Sequence, residues 1–108
     1  MIQFLTGATG GQSGLIPPWS DTVHTYALVA TTAKSVTVPV GATFMVVSAT
    51  ADFWVNTFGA TAVIPSADNT TGTGTPVLNP TQRKVVAGQV LSFISATSQQ
   101  ITIEWFGN

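Results

Sequence analysis

Cysteine is absent from the 108 residues. The chain therefore has no disulfide scaffold, no thiolate zinc site and no thiol nucleophile. Charge is scarce as well. Asp, Glu, Lys and Arg make up 6% of the chain, against about 25% in an ordinary globular domain, and threonine alone outnumbers them. A net charge of -1 lacks the positive footprint of a nucleic-acid binder and leaves no polybasic segment for a membrane surface. No stretch approaches the ~20 apolar residues of a membrane span. Residues 1–11 have neither the basic start nor the long apolar run of a standard signal peptide. Helical periodicity is missing too: apolar spacing of 3.6 residues persists nowhere for ten residues.

Strand signals fill the space that helices leave. Alternating or doubly apolar runs recur at 23–30, 34–38, 43–49, 53–58, 62–64, 83–87, 90–96 and 101–106, separated by turn residues such as Pro39-Val40-Gly41 and Ala87-Gly88-Gln89. This spacing predicts an all-β antiparallel β-sandwich, jelly-roll-like by strand count, over residues 22–108. In residues 34–38, Val36 and Val38 face inward and Ser35 and Thr37 outward; in 101–106, Ile101, Ile103 and Trp105 share a face opposite Thr102 and Glu104. The most apolar stretch, residues 43–58, reads as a hairpin turning at Ala51-Asp52. Both of its faces carry large apolar groups, which places it deep in a sandwich or under another subunit.

Residues 1–21 read differently. Glycines and Pro17-Pro18 exclude helix, yet Ile2, Phe4, Leu5, Leu15, Ile16 and Trp19 are too apolar for a solvated tail. The segment is expected to be an extended N-terminal arm that docks on a partner, or a first strand folded back over its own sheet. Residues 66–80, rich in Gly, Asn, Thr and Pro, form the longest predicted loop.

The apparent chemical motifs dissolve on inspection. Thr6 to Gly14 resembles a glycine-rich dinucleotide turn, but Pro17-Pro18 stands where the phosphate-binding helix must begin, so no cofactor is expected. His24 is the sole histidine; a Ser-His-Asp arrangement with Asp21, Asp52 or Asp68 is possible on paper, but no nucleophile elbow accompanies it, and the reading is non-enzymatic. The acids Asp21, Asp52, Asp68 and Glu104 are scattered, and the Asp68-Asn69-Thr70 run serves a turn as well as a cation, so no metal site is assigned. Of three tryptophans, Trp105 alternates with core residues, whereas Trp19 and Trp54 are free to anchor a partner or stack on a sugar. Charge depletion favours protein contact, because interface cores shed charge. The candidate interface is Ile2, Phe4, Leu5, Leu15, Ile16, Trp19, Trp54 and Phe58.

Three pieces of the chain, SVTVPVGATFMVVSATADFWVNTFG, AVIPSAD ahead of a Gly/Thr loop, and VVAGQVLSFISATSQQITIEWF, together resemble a family of small structural proteins of tailed bacteriophages, the head decoration or cement proteins. The resemblance covers about two-thirds of the chain and not the leader of residues 1–21. It implies a protein made in the host cytoplasm and carried on the capsid surface of the virion. There it would bind the major capsid protein and stabilise the head through non-covalent contacts as a homo-oligomer, a trimer being favoured. A receptor- or glycan-binding β-module of a head or tail fibre, using Trp54 and the 66–80 loop, is the alternative.

Overall fold

The computed structural model describes residues 1–2, 18–57, 59–72 and 74–107. Eight strands are present: β1 (Thr22–Leu28), β2 (Lys34–Thr37), β3 (Ala42–Ala49), β4 (Trp54–Asn56), β5 (Val77–Leu78), β6 (Gln82–Lys84), β7 (Val90–Ile94) and β8 (Gln99–Gly107). They form two four-stranded antiparallel sheets, one in the order β1-β8-β3-β6 and the other in the order β2-β7-β4-β5. No helix occurs among the described residues. The result is an all-β, sandwich-like arrangement, as the strand pattern predicts.

Alternation builds the core. Met45 and Val47 of β3 and Ile101, Ile103 and Trp105 of β8 point from the first sheet; Phe53, Val55, Leu91 and Phe93 meet them from the second, all buried in one cluster. The Phe53 and Phe93 rings stack at 6.1 Å. Val36 and Val38 are buried while Ser35 and Thr37 are exposed, as expected from their period of two.

The predicted 43–58 hairpin is corrected. β3 and β4 lie in different sheets, and residues 50–53 carry the chain across the sandwich rather than around a tight turn. β3 is already hydrogen-bonded on both sides, to β8 and to β6, so it has no edge left for β4. The side-chain alternation within each half is nevertheless as read, with Met45, Val47, Phe53 and Val55 buried. Only the β4–β5 connection stays within one sheet; every other connection crosses between sheets.

That β4–β5 connection also explains the doubly apolar strands. It folds over the outer face of the second sheet, where the Ala62 N–H donates to Ser92 Oγ at 2.9 Å and Asn56 Nδ2 donates to the Gly74 carbonyl at 3.0 Å. Asn56 and Ser92 are thereby buried on the face opposite the core, and Ile94 is buried on the same face. The short strand expected at 62–64 does not form; this segment is a cover and not a ladder member. On the first sheet's outer face Phe106 is likewise buried, edge-on to Phe44 at 6.4 Å.

Two glycines are required, Gly41 by its backbone conformation and Gly107 by close approach. Gly41 has φ +88° in the turn that the Ala42 N–H closes onto the Pro39 carbonyl, a conformation that favours glycine. A Cβ at Gly107 would run into the Gly41 carbonyl oxygen.

Candidate functional site

Of the sequence-predicted interface residues that are described, Trp19 is the most exposed, at 88%. Its backbone is nonetheless held. The next residue, Ser20, donates its N–H to Glu104 Oε2 at 3.2 Å and its hydroxyl contacts the carbonyls of Thr22 and Trp105. The Thr22 N–H returns a bond to Ser20 Oγ at 3.0 Å. The indole thus projects from a pinned chain. Beside it, Pro18, Val46, Glu104 and Phe106 complete the lining of a cavity of about 180 Å³ on the outer face of the first sheet.

Ile2 sits at the same end of β8. Its carbonyl accepts the Gly107 N–H at 2.8 Å, and its own N–H donates to Asp21 Oδ1 at 3.2 Å. At this residue the leader lies against its own domain. Trp54 is elsewhere, half-buried on the outer face of the second sheet, opposite Ile94 and Leu78. Ile2 and Trp19 therefore share one region, and Trp54 does not join them. Phe4, Leu5, Leu15, Ile16 and Phe58 lie outside the described residues.

Asp21 anchors this region electrostatically. A desolvation cost, the largest single influence, pushes its carboxyl up; hydrogen bonds from the Thr22 hydroxyl and the Ile2 N–H, with the Met1 ammonium at 3.8 Å, outweigh it, and the group titrates below its ordinary value. A carboxyl lowered in the folded state contributes stability above its unfolded pKa, and that contribution disappears as pH falls through the folded value. The acid limb of the unfolding curve, followed by circular dichroism from neutral pH to below the ordinary carboxylate range, is expected to flatten slightly in Asp21→Asn. An unchanged limb would show that these bonds do not bias the carboxyl.

His24 is not paired with a carboxylate. Its Nδ1 accepts the indole N–H of fully buried Trp105 at 3.1 Å and lies 3.3 Å from the Tyr26 hydroxyl. The ring proton must then sit on Nε2, so the exposed nitrogen offers a donor and not the lone pair that general-base or metal chemistry needs. Burial pushes the Tyr26 hydroxyl up. Asp52 is occupied by Asn79, whose Nδ2 donates to it at 2.8 Å. Among the described residues no three His, Asp or Glu side chains converge as a metal site would require.

Two features escaped the sequence reading. Bonds from the Val38 N–H to the Gln89 carbonyl and from the Gly88 N–H to the Val38 carbonyl bring two turns together, and Val40 at 93% and Val86 at 70% exposure stand out from them. An apolar residue inside a Pro-x-Gly turn was the available signal. At the opposite end, Gln99 clamps the 50–52 crossing and Ser95, a role that nothing in its neighbouring residues announces. Its Nε2 donates to the Ala51 and Asp52 carbonyls and to Ser95 Oγ at 2.8–3.1 Å, and its Oε1 accepts the Thr50 and Ala51 N–H groups.

Comparison with known proteins found no matching family model, curated protein or solved structure.

Proposed function

We propose that this chain is a structural protein of a tailed-phage virion, a head decoration protein that binds the major capsid protein and stabilises the shell as a homo-oligomer, a trimer being favoured. The observation that carries the reading is Trp19, an indole held out in solvent by a hydrogen-bonded backbone in a chain of which only 6% of residues are charged. Such an indole is costly to expose and is the side chain most often found as a binding anchor. Residues 1–21 then act as the docking arm.

The strand order supports a jelly-roll description. The pairs β1–β8, β2–β7, β3–β6 and β4–β5 are those of one long antiparallel ribbon, bent at the β4–β5 connection and rolled into two sheets. Eight-stranded jelly rolls recur in viral capsid and lectin domains, but a fold of this kind hosts many functions, so the argument rests on the surface. The resemblance to the decoration family points the same way.

The test is addition of purified protein to heads assembled from the cognate major capsid protein without decoration. Saturable binding that raises the heat tolerance of the heads and changes little with salt is expected. Trp19→Ala should lower affinity at least about tenfold while leaving the circular dichroism spectrum intact. Heads that stay bare, or heads decorated equally by the variant, would overturn the reading. Binding on a glycan array that Trp54→Ala abolishes would move it to the receptor-binding alternative.

A further inference from the structure

The four outer strands of the sandwich are unequal. β1 and β6 flank the first sheet, β2 and β5 the second. β5 is two residues long, β6 is three and includes Arg83 and Lys84, and β2 is four and opens on Lys34. Short length and cationic side chains both deter pairing with another chain. β1 has neither protection. It runs for seven residues, TVHTYAL, without Lys, Arg, Asp, Glu or Pro, and among the described residues it pairs only with β8. Val23, His24, Thr25 and Ala27 are exposed along it, so its open side is accessible.

We propose that β1 is the surface through which two copies of this chain associate, pairing antiparallel about a two-fold axis at Thr25 and joining two four-stranded sheets into one of eight strands. A second copy is the occupant because β1 complements itself. Centred on Thr25, the register uses all seven residues: Thr22 faces Leu28, Val23 faces Ala27, His24 faces Tyr26, and Thr25 faces its own counterpart. A register centred on His24 would leave Ala27 and Leu28 with no partner.

The faces match as well. Val23, Thr25 and Ala27 are in register with Glu104, Thr102 and Gln100 and stand on the outer face, so valine meets alanine and threonine meets threonine. His24 and Tyr26 are in register with the buried Ile103 and Ile101, and each meets the other across the axis on the core side. Cross-strand pairs of this type stabilise a ladder, whereas like charges placed opposite each other oppose it, and β1 has no fixed charge to place. The contact is isologous. It does not rest on the virion reading, and in a trimer held by other surfaces it would link neighbouring trimers.

Because the chain has no cysteine, Thr25→Cys introduces one thiol per copy, directly opposite its twin. Directly opposed residues on antiparallel strands are about 4.5–5.5 Å apart at Cα, within the range a disulfide spans. Mild oxidation should convert most of the Thr25→Cys protein into a linked dimer on a non-reducing gel. Val40→Cys, also exposed but in the turn between β2 and β3 and not on β1, should remain largely unlinked. Thr25→Lys, which sets two ammonium groups against each other, should halve the mass measured by sedimentation. A wild-type protein that sediments as a monomer at high concentration would overturn the proposal. So would Thr25→Cys linking no faster than Val40→Cys, even in a protein that proves oligomeric; that second result would leave the decoration reading intact.

Discussion

Trp105→Ala is expected to lower the unfolding free energy by about 3–5 kcal/mol, the usual cost of emptying a buried aromatic site. Domains of this size have about 5–15 kcal/mol in all, so the variant should be close to unfolded at physiological temperature. Two losses combine. The indole is fully buried on β8, opposite Met45 on β3 and Thr22 on β1, and the strands on both sides of β8 leave little freedom for the gap to close. The indole N–H also holds the His24 imidazole. His24→Ala separates the second effect from the first. It leaves a buried donor without its acceptor, at about 1–3 kcal/mol, and creates no central cavity. Urea midpoints of the two single variants and the double variant measure the coupling. If His24→Ala proves neutral, the imidazole is not the acceptor that the indole depends on.

Gln99→Ala should be the next most damaging change, at about 1–3 kcal/mol. One side chain supplies donors to two carbonyls and one hydroxyl and accepts from two backbone amides. It does so where the chain leaves the first sheet for the second. Its loss should therefore be felt locally as well as globally, as faster hydrogen exchange at the Ala51 amide. Gln99→Glu should be no milder, because it sets carboxylate oxygens against the Ala51 and Asp52 carbonyls. An Ala51 amide that exchanges equally slowly in wild type and Gln99→Ala would show that the crossing is held by the Asn79 bonds to Phe53 and Asp52 instead.

The hairpin error shows how far a strand pattern can be read. The alternation in residues 43–49 and 53–56 was enough to sort Met45, Val47, Phe53 and Val55 from their neighbours. It could not name the strand beside each, because any strand with an apolar face satisfies the same pattern. Only one part of the predicted interface could be placed: Ile2 and Trp19 gather near the end of β8, and Trp54 lies on the other sheet.

From sequence alone, the period-two alternation in this chain determined the all-β class, most of the strand positions and the inward faces of β2 and β8, because side-chain direction is a local property of an extended backbone. The charge poverty was legible too, and with it the expectation of a surface suited to contact. The tertiary structure alone decided which strands share a sheet, that His24 holds an indole and not a carboxylate, that Gln99 ties down a crossing, and that β1 lies at the edge of its sheet among the described residues. Those outcomes depend on groups brought together from opposite ends of the chain, as with His24 and Trp105, and no local pattern carries that information.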